Sequence, residues 1–157
     1  MQSIIVGTIG ITPIINSITT ISSSIFSLLS HIKVSQNVHY DDIQKVLNKT
    51  DIEATILLLQ NIITDVSQLS EKNYFNNNTF IVLALSHVKE SIASIEIELK
   101  EIKEKIIYNS SLYIMTSMRS YDLFTNFNNI ETKIAVLDRR CEYLFKSFDL
   151  CKHFTCV

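Results

Sequence analysis

The stretch ITPIINSITTISSSIFSLLSHI, residues 11–32, decides the fold of this 157-residue chain. Its large aliphatic residues recur at alternating steps of three and four, at Ile11, Ile14, Ile18, Ile21, Ile25, Leu28 and Ile32. This spacing places them along one side of an α-helix that packs against other helices. Pro13 fits the first turn, where a backbone N–H is not needed. The pattern predicts a main helix over residues 11–34.

Three further segments share this spacing and predict main helices over residues 51–70, 79–108 and 122–151. Their apolar positions are Ile52, Ile56, Leu59, Ile63 and Val66, then Ile81, Leu85, Val88, Ile92, Ile95, Leu99, Ile102 and Ile106, then Leu123, Phe127, Ile130, Ile134, Leu137, Cys141, Leu144, Phe148 and Cys151. Four amphipathic segments with short connections predict an all-α fold, an antiparallel bundle of four main helices in one domain spanning residues 1–157. A short extra helix is expected over residues 41–47.

Polar residues at the segment ends predict where helices begin. Thr50 and Glu53 have the spacing of a capping box, which predicts that the second main helix begins at Thr50. Residues 76–79 offer side chains that cap the third main helix. Asn126, with the other asparagines at 128 and 129, could interrupt the fourth, which would restart at Asn128.

Composition excludes several classes of protein. Only 2 Gly and 1 Pro are present, whereas sandwiches, barrels and nucleotide-binding folds need many tight turns. A net charge of −2 gives no basic surface, so no nucleic-acid partner is expected. Three cysteines do not suit a disulfide framework, which favours a reducing, cytoplasmic location. No Lys or Arg precedes Lys33, so a secretory signal is not expected and residues 1–32 should remain in the mature chain.

Charges are distributed unevenly along the chain. Residues 1–32 hold no charged side chain, while the segment from Lys89 to Lys105 is dense in them and pairs acids with lysines at helix-supporting spacing, Glu96 with Lys100 among them. The uncharged first helix is therefore interpreted as a central bundle helix, a helix that contacts a subunit or partner, or a helix on or in a membrane. The apolar leader, residues 1–10, could pair as a strand, insert into lipid or extend the helix.

No residue set predicts catalysis, a cofactor or a metal ion. Cys151, His153 and Cys156 offer three soft ligands, but a structural zinc site needs four. The glutamates of the third segment lack the Glu-x-x-His spacing of di-iron bundles. Nothing in the spacing of the histidines selects a base for a nucleophile. We therefore expect a protein that is not an enzyme.

Two surfaces are candidates for interaction. The first is the uncharged N-terminal region, and the second is an arginine pair on the fourth helix flanked by tyrosines at 108, 113, 121 and 143, where an acidic partner surface could dock. The candidate interaction residues are Ile4, Ile5, Ile11, Ile18, Ile25, Phe26, Arg139, Arg140 and Tyr143.

The order of elements resembles the HeLo-type and mixed-lineage-kinase-like four-helix domains of cell-death proteins. The resemblance lies in an uncharged first helix over residues 4–29 that contains glycine, followed by amphipathic helices over residues 52–69 and 80–107. In that family the bundle oligomerises and perturbs membranes through the first helix or a basic face, and this chain lacks the basic cluster. The resemblance implies a membrane-active bundle.

The composition is also similar to that of small helical proteins of AT-rich giant DNA viruses. The likeness lies in Ile-, Asn-, Ser- and Lys-rich stretches such as NNN at residues 76–78 and DIEATILLL at residues 51–59. It implies a structural or accessory protein, which would be associated with the virion. Together these observations predict a non-enzymatic bundle that acts through self-association or a protein partner. The alternative is a membrane-active bundle whose first helix inserts in or lies on lipid.

Overall fold

A computed structural model describes residues 10–35, 40–70, 78–112 and 120–154 of the chain. These residues form five helices and no strand: α1 (Ile11–Val34), α2 (Tyr40–Thr50), α3 (Ile52–Ser70), α4 (Thr79–Ser110) and α5 (Phe124–Phe154). The predicted bundle of four long helices, with a short extra helix in the first connection, is confirmed. The leader lies outside the described residues except for Gly10, which precedes the first turn of α1.

The helix α4 is central, because it packs against α1 on one side and against α5 on another. Ser24 of α1 donates to Glu96 of α4, and further along both helices Ile32 and Ile106 line the same cavity. The two helices therefore run in the same direction, as the first and third long helices of an up-down-up-down bundle do.

The helix α5 runs antiparallel to α4. Arg140, at the middle of α5, lies beside Glu90 in the first half of α4, while Asn126 at the start of α5 contacts Lys105 near the end of α4. The helix α3 packs on α1, and α2 packs against the first half of α5, where Lys49 pairs with Glu131.

The predicted apolar stripes form the core. All five predicted positions of α3 and all eight of α4 are buried, as are six of the seven in α1. In α5 the larger and sulfur-containing members are half-buried against the core instead, at Phe127, Cys141 and Phe148. The sequence period therefore located the packing surface of each long helix.

The structure places α1 as a core helix, which is one of the three interpretations of its uncharged sequence. Its buried residues form a stripe of nine, and several hydroxyls on its other side donate back to carbonyl groups one turn earlier, as Thr20 does to Asn16. The helix is also long and apolar enough to cross a membrane, a criterion that the core helix of a soluble protein also meets.

The capping box predicted at Thr50 is wrong. The Thr50 hydroxyl donates to the Val46 carbonyl at 2.8 Å, so Thr50 ends α2 and does not begin α3. Asp51 joins the two helices with a left-handed φ of 46°, and its carbonyl accepts the first helical hydrogen bond of α3 from the Thr55 amide. The prediction failed because α2 continues three residues beyond its expected end, Leu47.

The interruption predicted in the fourth long helix is also wrong, because α5 is continuous from Phe124 to Phe154. Asn126 is buried, and its amide bonds to side chains of α4 instead of capping a new helix. The predicted cap of α4 is confirmed at Asn78, whose Oδ1 accepts from the amides of Phe80 and Ile81 at 3.0 and 3.4 Å.

We expect Asn78→Ala to lower the free energy of unfolding by about 1 kcal/mol, because two first-turn amides lose their acceptor. Urea denaturation followed by circular dichroism measures this. Asn128→Ala is the matched control, since this asparagine is exposed inside α5 and alanine favours helix there. It should leave stability unchanged or raise it slightly. Equal losses in the two variants would contradict the capping role.

Candidate functional site

A buried carboxylate, Glu98, lies at the interface of α4 and α5. Its side chain is 5% exposed, and Lys133 Nζ of α5 lies 2.5 Å from its Oε2. Asn126 Nδ2 donates to Oε1 at 2.6 Å, and Asn129 Nδ2 lies 3.3 Å from the same oxygen. A charge taken out of water is costly unless it is paired and hydrogen-bonded, and these three α5 side chains provide both.

The polar network extends along the interface in both directions. Towards the end of α4, Lys105 donates to Asn126 Oδ1 at 2.7 Å and pairs with Glu101 at 2.9 Å. Towards its start, Lys133 also donates to the Ser94 carbonyl at 3.2 Å. Because each donor contacts a specific turn of the other helix, the network fixes how α4 and α5 align.

A cleft of about 230 Å³ opens between the two helices beside this network. It is lined by Glu90, Ser91, Ser94, Thr132, Lys133, Val136 and Arg140. Arg140 Nη1 donates to the His87 carbonyl at 2.5 Å and lies 3.5 Å from Glu90 Oε2. The Ser91 hydroxyl is buried and has no hydrogen-bond partner among the described residues.

Exposed apolar side chains flank the cleft at both ends. On α4, Leu83 lies one turn before His87, and Ile97 lies one turn after Ser94. On α5, Tyr143 lies one turn beyond Arg140. We call the cleft-lining residues together with Leu83, Ile97 and Tyr143 the α4–α5 face. Apolar groups around a cleft that carries charges of both signs are typical of an interaction surface.

The structure separates the predicted interaction residues into three groups. Ile11, Ile18 and Ile25 are fully buried inside the bundle, so they are core residues and do not form a surface, while Phe26 is half-buried against that core. Ile4 and Ile5 lie outside the described residues. Core and contact positions share one period, which is why the sequence could not distinguish them.

Of the α5 candidates, Arg140 and Tyr143 belong to the α4–α5 face. Arg139 is exposed beside them, and its Nε donates to the Ala135 carbonyl of its own helix. Of the other tyrosines expected beside the arginines, Tyr113 lies outside the described residues, and two lie elsewhere. Tyr108 and Tyr121 instead contact each other with tilted rings, whose centroids are 4.8 Å apart, at the other end of α4, about 30 Å from His87 by helix rise.

Sequence reasoning missed the buried network. Glu98 stands in a run of charged residues typical of a solvated face, and its burial depends on which helix packs beside it. The one sequence feature that pointed to burial was the place of Glu98 next to Leu99, a residue of the apolar stripe. The pairs predicted at four-residue spacing are confirmed, Glu96 with Lys100 at 2.8 Å and Glu101 with Lys105.

Four pKa values among the described residues depart from their ordinary range. The hydrogen bond with Lys105 lowers the pKa of Glu101. Burial opposes ionisation of Glu96, but hydrogen bonds from Lys100 and Ser24 outweigh it and lower the pKa of Glu96. Burial raises the pKa of Asp138. Burial and the nearby charge of Asp138 raise the pKa of the Cys141 thiol to about 11, so this cysteine is not a thiolate at neutral pH.

Among the described residues, no group of three or more His, Cys, Asp or Glu side chains could hold a metal ion. The side chains of Cys151, His153 and Cys156, the three ligands considered for zinc, lie outside this description. No family model matches the sequence, and neither a curated protein nor a solved structure matches it. Function is therefore argued from the α4–α5 face.

We expect Lys133→Met to lower the free energy of unfolding by about 2 kcal/mol, because Glu98 is left as a buried charge without its cation. This loss of stability is smaller than the loss expected for a fully buried ion pair, because the Lys133 side chain is 28% exposed. Adding Glu98→Gln should recover at least half of the loss by removing the charge. Chemical denaturation at pH 7 measures both.

The control for this prediction is Lys45→Met, which breaks the exposed pair of Lys45 with Asp42. Exposed pairs contribute little, so its effect should stay within about 0.5 kcal/mol. A double variant no more stable than Lys133→Met alone would contradict the account of Glu98.

Proposed function

We propose that this chain acts without catalysis, through helix-mediated self-association, with a second copy docking on the α4–α5 face. The observation that supports this is the exposure of Leu83, Ile97 and Tyr143 around a cleft with charges of both signs. The mean hydropathy of +0.21 and the net charge of −2 also favour association, because little charge repulsion separates two copies.

A second copy suits this face because the face can complement itself. Arg140 and Glu90 stand on opposite walls of the cleft. A two-fold axis through the cleft would bring Arg140 of one copy towards Glu90 of the other, and in a two-fold interface each such contact occurs twice. The apolar residues at the two ends of the cleft would then pack across the same axis.

The proposal includes a cytoplasmic, reducing location, supported by the free thiol of Cys141. The alternative partner for the same face is a different protein. A virion-associated structural or accessory role, which the compositional likeness implies, would use the same self-association.

We expect the full chain to show a molar mass that rises with concentration in light scattering coupled to size exclusion. Leu83→Ser should keep it monomeric at concentrations where the unmodified chain associates, because an apolar contact across the interface is lost. The matched control is Leu58→Ser on α3. This variant also replaces a leucine by serine, and the two leucines are exposed to nearly the same extent, 58% for Leu58 and 53% for Leu83. Leu58 lies away from the α4–α5 face.

Both leucines are more than half exposed, so both variants should fold with similar stability. A monomeric unmodified chain at every concentration would contradict self-association. Equal loss of association in the two variants would contradict the location of the interface.

A membrane-active bundle is the second candidate function, as the resemblance to cell-death domains implies. The observation that favours it is α1, which is long and apolar enough to cross a membrane. Since α1 packs its apolar stripe against α3 and α4, insertion would require the helix to leave the core. Each buried aliphatic side chain contributes about 1.5–3 kcal/mol, which opposes this release.

We expect the full chain not to float with anionic liposomes, because the apolar stripe of α1 is committed to the core. The test variant is Ser27→Glu, which adds a charge on the exposed side of α1 without touching the stripe. If the unmodified chain floats and Ser27→Glu does not, the membrane candidate replaces self-association as the proposed function.

A further inference from the structure

The cavity between the end of α1 and the second half of α4 has a volume of about 220 Å³, and none of its lining residues belongs to the α4–α5 face. It is lined by His31, Ile32, Ser35, Lys103, Ile106 and Ile107. Ile32 and Ile106 are buried, whereas Ile107 is 58% exposed, so the apolar surface of this cavity is partly open to water. An aliphatic chain that enters the cavity would remove that surface from water.

Lys103 brings a positive charge without a partner to this cavity. Its side chain is half-buried, and its ammonium makes no ion pair or hydrogen bond with any described residue. Two other lysines at this end of the α1–α4 pair are already engaged, Lys100 with Glu96 at 2.8 Å and Lys33 with Glu53 at 2.7 Å. Because the Lys103 ammonium is carried on a flexible stem, it can turn to an acceptor in the cavity.

His31 lines the cavity from the last turn of α1. Its imidazole is exposed and has no partner among the described residues. A neutral imidazole carries one N–H donor, so both helices offer a donor to a ligand. Of the described residues that line the cavity, none is acidic, and Glu104, beside Lys103 in sequence, is exposed and outside the lining. A bound anion would therefore meet donors from both helices and no carboxylate.

The same pair of helices provides an internal comparison around Lys89. This lysine is also half-buried and without a partner among the described residues, and it lies about four turns before Lys103 on the same side of α4. The residues of α1 that line its cavity are mostly polar, namely Asn16, Ser17, Thr20 and Ile21. An aliphatic chain would bury little apolar surface there, so only the cavity at Lys103 combines a free cation with apolar walls among those lined by α1 and α4 side chains described here.

We infer that the cavity at Lys103 binds a small aliphatic monocarboxylate, whose carboxylate accepts hydrogen bonds from Lys103 and His31. The aliphatic chain would lie on Ile32, Ile106 and Ile107. Since the cavity is smaller than the pockets of about 300–1,000 Å³ that hold drug-sized ligands, the chain is a short one. The inference does not rest on self-association, which uses the other side of α4.

The test is an NMR titration of the full chain with hexanoate at pH 7 and constant ionic strength, followed on the isoleucine methyl groups. Hexanoate should bind saturably and shift the methyl signals of Ile32, Ile106 and Ile107. The neutral analogue 1-hexanol should bind at least fivefold more weakly, because it loses the charge-assisted hydrogen bond. Butanoate should bind about tenfold more weakly, because two fewer methylene groups are buried.

Three outcomes of this titration would overturn the inference. They are the absence of saturable binding, an affinity for 1-hexanol or butanoate equal to that for hexanoate, and methyl shifts confined to other parts of the chain.

Variants of the two lysines locate the carboxylate. Lys103→Gln should weaken hexanoate binding about tenfold, as expected for the loss of a hydrogen bond between charged groups, and leave the affinity for 1-hexanol unchanged. Lys89→Gln is the matched control and should change the affinity for hexanoate less than twofold. Equal weakening of hexanoate by the two variants would show general charge attraction and overturn the site. Equal weakening of hexanoate and 1-hexanol by Lys103→Gln would overturn the role of the charge.

The histidine provides the second pair of variants. His31→Ala should weaken hexanoate binding about fivefold, which corresponds to the loss of one hydrogen bond. His87→Ala removes an exposed histidine of α4 that does not line the cavity, and it should change the affinity less than twofold. Neither His31 nor Lys103 has a side-chain partner to leave unsatisfied, so both variants should fold. An unchanged affinity in His31→Ala would overturn the placement of the carboxylate between the two helices.

Discussion

The burial of one helix on two sides is the constraint on which this structure depends. Nine apolar residues of α4, from Ile81 to Ile106, are buried, and the helix packs against both α1 and α5. At about 1.5–3 kcal/mol for each large side chain that is buried, this stripe contributes strongly to the stability of the bundle. The helices α2 and α3 join the bundle mainly through α5 and α1, so their positions follow from those of the central helices.

A polar network lies within this apolar packing and has a different physical role. Apolar side chains tolerate sliding by one turn, whereas the buried Glu98 carboxylate must meet Lys133 and Asn126 to be paired and hydrogen-bonded inside the protein. The network therefore selects one alignment of α4 and α5. That alignment places Arg140 opposite Glu90 and forms the cleft, so the geometry of the candidate site follows from a buried charge two turns away.

Much of the fold could be predicted from sequence, because the spacing of apolar residues is itself the packing pattern. The stripes of α3 and α4 were predicted residue by residue, as were the ion pairs of Glu96 and Glu101 with their lysines. The predictions at Thr50 and Asn126 failed for a shared reason. A hydroxyl or amide can cap a helix or bond within a bundle, and neighbours distant in sequence decide which.

The candidate site was only partly predictable. Arg140 and Tyr143 were placed on an interaction surface from sequence, but Ile11, Ile18 and Ile25 proved to be core, because a heptad position does not reveal whether its partner is the same chain or another. Glu98 and Ser91 carry no sequence signal that separates them from solvated residues. Their importance appears only when α5 lies beside them.

The central claim is that the α4–α5 face is where this chain meets a second copy. Methyl NMR spectra of the full chain across a range of concentrations test it most directly, since each methyl group reports its own surroundings. Concentration-dependent shifts confined to Leu83, Ile97 and Val136, with Leu57 and Leu58 of α3 unchanged, are the predicted result. Shifts at the α3 leucines alone, or spectra that do not change with concentration, would contradict the account.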